Sequence, residues 1–270
     1  MKRGLPEKRP ISNVKKVIAV SSAKGGVGKS TLAVNLALAS AREGFATGIL
    51  DTDIYGPSIP TLLNLEGLEP ELDAKNRLVP LTSYGVKAMS MGFLVPQDAP
   101  IAWRGLMVQK AMNQLLFEVN WPQLDLLVLD LPPGTGDVQL TITQSIELAG
   151  AVIVSTPQDL ALRDAVRGVE LFEKVKVPIL GMVQNMSTFT CVECGHHHDI
   201  FGVDGKFSSL DIGGNKLTRI QVQERNAKNS ASTSSATYHY THRYAQMLMP
   251  ASQQLWAVRP PRRLKHSPRS

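Results

Sequence analysis

Short apolar runs alternate with longer amphipathic segments over the first two hundred positions of the chain. The short runs are rich in Val, Ile and Leu, which is typical of strands buried on both faces of a parallel sheet. The longer segments repeat their apolar residues with a helical period. The predicted strands are 17–20, 47–50, 86–91, 126–129, 151–155 and 179–183, and the predicted helices begin near Leu32 or span 107–119, 138–147 and 160–174. This alternation predicts an α/β fold built on a doubly wound, mostly parallel sheet.

The two ends of the chain depart from this pattern. Residues 1–16 are polar and lack the apolar stretch of a secretory signal, and an acid and two prolines make them a poor transit helix. We interpret them as a lead-in segment with no visible transit peptide. Residues 207–270 have no apolar period, and 226–237 form a low-complexity polar run. We therefore expect one domain over 17–206, followed by a disordered basic tail.

Composition and charge narrow the functional classes. Apolar residues make up 43% of the 270 positions, and no apolar run approaches the roughly 18 residues of a membrane span. Two cysteines cannot form the disulfide framework of a small secreted protein. The net charge of +6 belongs to the tail, because residues 1–201 carry −2 and residues 202–270 carry +8. We therefore expect no nucleic-acid binding, while peripheral contact of the tail with an acidic membrane stays open.

A glycine-rich segment, residues 23–31, follows the first predicted strand and opens the first predicted helix. That context is typical of a phosphate-binding loop, in which backbone N–H groups and the helix N-terminus face the phosphates. We expect Lys29 to reach the β- and γ-phosphates and the Ser30 hydroxyl to ligate Mg²⁺. The residues expected to bind nucleotide in this loop are Lys24, Gly25, Gly26, Val27, Gly28, Lys29, Ser30 and Thr31.

Acidic residues follow two of the predicted strands. Asp130 ends the strand at 126–129, where it is placed to hold Mg²⁺ through water, and Gly134 could donate its N–H to the γ-phosphate. Asp51 and Asp53 follow the strand at 47–50 at the same expected sheet edge. We expect Asp51 to lie near the metal and Asp53 to orient the attacking water. The simpler alternative for these aspartates is helix capping or turn formation.

Several motifs together resemble the Mrp/NBP family of iron–sulfur carrier ATPases. These are the glycine-rich loop and the segments 51–58, 89–93, 103–105, 130–137, 155–159 and 184–187. Arg3–Pro6, Met107 and Ile200–Gly202 look most like the mitochondrial branch, the nucleotide-binding-protein-like assembly factors of respiratory complex I. The similarity runs from about residue 3 to 205, and we expect none of the family's later strands or helices after Gly205.

This resemblance implies a fold and several residue roles. The fold is that of the SIMIBI class of P-loop NTPases, which includes the MinD- and Mrp-like proteins. Lys24, before the paired glycines, is similar to the lysine that reaches into the partner's site in this class, and Asn185 is expected to contact the adenine. The implied activity is slow ATP hydrolysis, and the implied location is the mitochondrial matrix or otherwise the cytoplasm.

Cys191 and Cys194 form the only cysteine pair of the sequence. A C-x-x-C pair alone fits zinc, redox or cluster sites. A four-ligand site needs two further ligands, either two of the histidines His196–His198 around zinc or the same cysteines of a second chain. The family is understood to hold a bridging [4Fe–4S] cluster in the second way, so the resemblance implies a homodimer.

The leading hypothesis is an ATP-dependent carrier that passes its cluster to apo iron–sulfur proteins, such as complex I subunits. A second hypothesis is a positioning ATPase of the ParA/MinD kind, which binds DNA or membrane and uses the basic tail as an anchor. The cysteine pair discriminates between the two, since a positioning ATPase does not need it. A third hypothesis is an inactive scaffold.

Overall fold

Twelve strands and five helices are described in the chain. The structure is a computed structural model that describes residues 8–94, 105–187, 189–191, 193–199, 211–212, 215–216 and 219–221. The strands are β1 Val14–Ser21, β2 Thr47–Asp51, β3 Leu81–Ser83, β4 Val86–Ser90, β5 Leu124–Asp130, β6 Gly150–Ser155, β7 Ile179–Gln184, β8 Phe189–Thr190, β9 His197–His198, β10 Asp211–Ile212, β11 Asn215–Lys216 and β12 Arg219–Gln221. The helices are α1 Lys29–Arg42, α2 Ile59–Leu62, α3 Gly105–Phe117, α4 Asp137–Ser145 and α5 Asp159–Lys174, with a 3₁₀ turn at Met91–Phe93.

Eight of the strands form one sheet in the order β12-β7-β6-β1-β5-β2-β4-β3. All neighbouring pairs are parallel except the β3–β4 hairpin. The predicted doubly wound α/β fold is therefore confirmed, and every predicted strand and helix is present within three residues of its expected ends. The short elements α2 and β3 and the small hairpins were not predicted. None of the described helices is long and apolar enough to cross a bilayer.

The central strands are buried on both faces, as their uninterrupted apolar sequences require. Leu127, Val128 and Leu129 in the middle of β5 have no measurable exposure, and Phe172 of α5 is equally buried. Burial of such side chains contributes about 1.5–3 kcal/mol each to folding. This core fixes the sheet, so the loops that follow the strands are presented from a rigid frame.

Three neighbouring strands bring their carboxyl ends together. In the register of the sheet, Val20 of β1 and Asp51 of β2 both lie opposite Asp130 of β5. The loops that follow these strands are the glycine-rich segment, residues 52–58 and residues 131–136. The sheet order β1-β5-β2 thus brings three segments that are distant in the sequence to one edge of the sheet.

The domain boundary predicted at residue 17 is wrong. β1 begins at Val14, and Ile11 is buried in the core. The Arg9 guanidinium lies 3.9 Å from the centre of the Phe117 ring, and Lys8 Nζ donates to the carbonyl of Val175 at 2.8 Å. Two consecutive exposed lysines, Lys15 and Lys16, concealed the start of the strand, because they follow the half-buried Val14 and break the apolar run. Residues 1–7 lie outside the described part.

The prediction that no strand follows Gly205 is also wrong. β12 pairs in parallel with β7, with Ile220 opposite Val183, and becomes the eighth strand of the sheet. β10 and β11 form a separate two-stranded hairpin. A three-residue strand at a sheet edge has no apolar period, so its sequence resembles a loop. The rest of the predicted tail, including the low-complexity run, lies outside the described residues.

Candidate functional site

The glycine-rich loop has the backbone that its glycines permit. Gly26 and Gly28 adopt positive φ angles of 76° and 86°, which other residues rarely tolerate. A Cβ on Gly28 would collide with the Asn185 side-chain amide, so any larger residue there would have to displace Asn185. Asn185 Nδ2 donates to the carbonyl of Val27 at 2.9 Å. Asn185, predicted to contact adenine, therefore braces the phosphate-binding loop from the end of β7.

Lys29 occupies the first position of α1 and points to the end of β5. Its ammonium lies 2.5 Å from Asp130 Oδ1 and 3.1 Å from the Ser30 hydroxyl. Both side chains of the ion pair are buried, at 7% and 0% exposure. Burial raises the pKa of Asp130, while the Lys29 charge and hydrogen bonds from Lys29 and Ser30 oppose that rise. Lys29, Ser30 and Asp130 thus lie together, and their expected contacts with phosphate and Mg²⁺ stay predictions.

Asp130 also retains a free acceptor. Its Oδ2 atom is buried and has no hydrogen-bond partner, which is costly unless a cation or donor compensates it. Carboxylate and hydroxyl oxygens are the ligands that Mg²⁺ prefers, and the Ser30 hydroxyl is beside the same lysine. These residues fit a magnesium ion that accompanies a nucleotide phosphate.

The structure gives Asp51 an organising role in its own loop. Its Oδ1 accepts from the backbone N–H of Asp53 at 3.0 Å, and its Oδ2 accepts from the N–H groups of Ser58 and Ile59 and from the Ser90 hydroxyl. Burial, together with the nearby Asp130 charge, raises the pKa of Asp51 to about 7. A carboxyl that is largely committed to these donors is better suited to hold the 52–58 loop than to ligate metal. Its predicted proximity to Mg²⁺ stays a prediction.

Asp53 and Gly134 lie on the loops that flank Asp130. Asp53 is half-buried, and its charge is close enough to raise the pKa of Asp130. Gly134 has a φ of 98°, and its N–H donates to the carbonyl of Ser22 at 2.9 Å. That bond joins the 131–136 loop to the start of the phosphate-binding loop. The expected contacts of Asp53 with water and of Gly134 with phosphate remain predictions.

The remaining loop residues have varied surroundings. Val27 is buried, Thr31 is exposed on the first turn of α1, and no atom within 4 Å would obstruct a Cβ on Gly25. Lys24, predicted to reach a partner, forms an ion pair with Asp164 of α5. The two lysines of the glycine-rich loop therefore point in different directions, Lys29 to the end of β5 and Lys24 to α5.

Cys191 and Cys194 lie in the turn between β8 and β9. The backbone N–H of Cys191 donates to the carbonyl of His196, and the N–H of Gly195 donates to the carbonyl of Cys191, both at 2.9 Å. Hydrogen bonds to the Cys191 sulfur from the backbone of Cys194 and then Glu193 lower the pKa of this thiol. Cys194 is exposed and Cys191 is half-buried. The turn thus favours the thiolate form of Cys191 and leaves the Cys194 side chain exposed.

No complete metal site is formed within the described residues. Groups of three or more His, Cys, Asp or Glu side chains that could hold one ion are absent there. The rings of His196 and His198 contact each other edge to face, with centroids 4.7 Å apart. In the described ranges, the two cysteines therefore contribute a partial ligand set.

Three positioning residues were not recognised from the sequence. Thr52 donates both its backbone N–H and its hydroxyl to the carbonyl of Asp130, which ties β2 to β5. Ser90 supports Asp51 from β4, and Asp164 holds Lys24 from α5. Small polar residues such as Thr52 and Ser90 are common at strand ends, so only the sheet order distinguishes them from ordinary turn residues, whereas Asp164 lies within a helix.

A family model described as "ParA: NUBPL iron-transfer P-loop NTPase" matches residues 13–256. The match covers most of the chain, and it includes the glycine-rich loop, the aspartates and the cysteine turn. The chain belongs to this family. The family confirms the predicted P-loop NTPase fold and the resemblance to iron–sulfur carriers, and it extends beyond residue 205, where the sequence similarity was expected to end.

Two relatives and one solved structure of this P-loop NTPase family illustrate the similarity. The mouse "Iron-sulfur cluster transfer protein NUBPL" is 55% identical over 231 aligned residues, and the match covers 83% of this chain and 72% of that protein. The Arabidopsis thaliana "Iron-sulfur protein required for NADH dehydrogenase, mitochondrial" is 53% identical over 208 residues, 77% of this chain and 66% of that protein. The nucleotide-binding protein from Archaeoglobus fulgidus, solved with ADP, is 41% identical, with 72% and 75% coverage and a TM-score of 0.63.

Proposed function

We propose that this P-loop NTPase is an ATP-dependent iron–sulfur carrier. It binds a [4Fe–4S] cluster across a homodimer and transfers it to apo-proteins, among them subunits of respiratory complex I. The observation that carries this proposal is that one short segment after β7 connects the phosphate-binding loop to the cysteine turn. Asn185 touches the phosphate-binding loop, and six residues later the chain reaches Cys191. In this proposal, residues that follow the end of β7 contact both the nucleotide-binding loop and the cluster.

The cluster ligands support a two-chain site. A [4Fe–4S] cluster takes four thiolates, and Cys191 and Cys194 are the only cysteines of the sequence. Two copies related by a two-fold axis supply the full set. Soft thiolates favour iron–sulfur clusters, and the lowered pKa of Cys191 favours the deprotonated ligand form. The cluster is cargo, so an outward-facing turn suits both loading and release.

The nucleotide site supports slow hydrolysis of ATP. A bound magnesium ion would neutralise phosphate charge. The Ser30 hydroxyl and the buried Asp130 Oδ2 are the oxygen atoms that would hold it. Lys29 holds the β- and γ-phosphates, and Asp53 orients the attacking water. Lys24 of each chain reaches the nucleotide of the second copy. The proposed location is the mitochondrial matrix, which agrees with the mitochondrial name of the Arabidopsis relative, and a cytoplasmic location is the alternative.

Asp53 provides a test of the hydrolysis step. We expect Asp53→Asn to bind ATP with nearly unchanged affinity and to hydrolyse it at least about tenfold more slowly, because a neutral amide accepts a weaker hydrogen bond from the attacking water than a carboxylate does. Nucleotide affinity is measured by calorimetry, and phosphate release is measured in a single turnover. Asp137→Asn, at the first position of α4, is a matched control that removes a nearby acid. A normal hydrolysis rate in Asp53→Asn would contradict the assigned role.

Anaerobic reconstitution tests the carrier function itself. Wild-type protein is supplied with iron and sulfide, and its absorption spectrum and native mass are then recorded. We expect a dimer with about four irons per pair and a [4Fe–4S] spectrum. Stoichiometric zinc in a monomer, lost when His196 or His198 is replaced, would instead show a structural zinc site.

A further inference from the structure

One carboxylate on α5 is shared by two cations from different parts of the chain. Lys24 Nζ lies 3.1 Å from Asp164 Oδ2, and Arg167 Nη1 lies 3.1 Å from Asp164 Oδ1. The Lys24 and Asp164 side chains are 39% and 20% exposed, whereas Arg167 is 74% exposed. Each oxygen of Asp164 therefore has its own cation, one from the phosphate-binding loop and one from the same helix.

The position of Lys24 conflicts with the role proposed for it in the dimer. An ammonium held against Asp164 of its own chain cannot at the same time contact the phosphates of a nucleotide in a second copy. The Lys24–Asp164 pair must therefore open when the dimer forms. Backbone contacts do not need to change, because the Lys24 carbonyl is held separately by the Ser22 hydroxyl at 2.8 Å.

We propose that Asp164 is a positioning residue that holds Lys24 within the separate chain and releases it to the second copy during dimer formation. This inference rests on the proposed function. Arg167 lowers the free-energy cost of releasing Lys24. Its guanidinium stays on Asp164, so the carboxylate keeps a partner after Lys24 leaves. The three side chains thus form a two-position switch for the lysine of the phosphate-binding loop.

The expected size of the effect follows from the exposure of the pair. A partly exposed ion pair shifts an equilibrium by about two- to fivefold, and salt screens it. A symmetric dimer opens two such pairs, so the effect on its dissociation constant is the square, about four- to 25-fold. This change is small enough for a reversible switch and large enough to measure.

Asp164→Asn and Arg167→Gln should change the dimer dissociation constant in opposite directions. This difference distinguishes a switch from a residue that only stabilises α5. Asp164→Asn frees Lys24, so it should tighten the dimer about four- to 25-fold. Arg167→Gln leaves Asp164 to Lys24 alone, so it should weaken the dimer by a similar factor. A brace that only stabilises α5 would make both variants change the dimer in the same direction or leave it unchanged. Arg163→Gln removes an equal charge from an exposed neighbouring position of α5 and should have no effect.

The experiment is sedimentation velocity of the full chain, reduced and free of cluster, with Mg²⁺ and the non-hydrolysable analogue AMPPNP. Measurements in about 0.1 M and 0.5 M salt should show the wild type and Asp164→Asn converging, since salt screens the exposed pair. Lys24→Ala should weaken the dimer, and Lys24→Ala/Asp164→Asn should match Lys24→Ala, because Asp164 acts through Lys24.

Three results would overturn the proposal. They are a weaker or unchanged dimer in Asp164→Asn, a persistent effect of this substitution in the Lys24→Ala background, and monomers with AMPPNP for both the wild type and Asp164→Asn. Failure of the carrier function has a different signature, which is a zinc-loaded monomer on reconstitution. The AMPPNP measurement contains no iron, so the two failures are distinguishable.

Discussion

Replacing either Cys191 or Cys194 by serine is expected to abolish cluster binding and leave nucleotide affinity unchanged. A serine hydroxyl is a hard, weakly acidic ligand, so each chain would keep one suitable sulfur and the dimer would offer two instead of four. Cluster content is measured by absorbance and iron analysis after anaerobic reconstitution. We expect iron to fall from about four per dimer to near zero.

The same cysteine variants should also fail to dimerise when iron and sulfide are added. Ligand-linked assembly follows mass action, so the loss of the shared ligand removes its contribution to dimer stability. ATP binding serves as the internal control, because the phosphate-binding loop follows β1 and the cysteine turn follows β7. Retention of a full cluster by either variant would contradict the two-chain ligand set.

Lys29→Ala is expected to weaken ATP binding by at least about a hundredfold. Hydrogen bonds from a charged donor contribute about 1.5–3 kcal/mol each, and Lys29 would make such bonds to two phosphates. Calorimetric titration with Mg²⁺ and ATP measures the change. Cluster binding by the reduced protein should persist, because both cysteines are intact.

Lys29→Ala also leaves the buried Asp130 without its cation, so we expect it to destabilise the fold by about 3–5 kcal/mol. The double variant Lys29→Ala/Asp130→Asn removes the uncompensated charge and should recover most of the thermal stability. Its ATP affinity should remain low. Recovery of ATP binding together with stability would mean that Lys29 acts through folding and not through phosphate contact.

The fold could be predicted largely from apolar runs, because a strand buried on both faces has a distinctive sequence. β5 and β7 were located in this way, and the glycine-rich loop was located by its place between a strand and a helix. β12 was missed because three residues at a sheet edge carry too little pattern. β1 was located, but it begins earlier than predicted. Its second and third residues, Lys15 and Lys16, are exposed and hide the start of the strand in the sequence.

The site could be predicted where a residue type has one characteristic chemical role. It could not be predicted where the role of a residue depends on the side chains and backbone groups that surround it. Asp130 lies at the carboxyl end of β5 beside the phosphate-binding loop, because neighbouring parallel strands end at one edge, and its ion pair with Lys29 was not predicted. Asp51 could not be distinguished from a metal ligand by sequence, since its four donors come from residues 53–59 and from β4. Asp164 carries no motif, and only the folded chain places it beside Lys24.

The last strand of the sheet also protects its neighbour. β12 covers one side of β7, with Arg219 opposite Met182 and Gln221 opposite Gln184. A chain that ended before Arg219 would present unpaired N–H and C=O groups along β7, and such an edge is a template for pairing with another molecule. Shortened forms of this chain are therefore expected to aggregate through β7, and soluble fragments should retain residues 219–221.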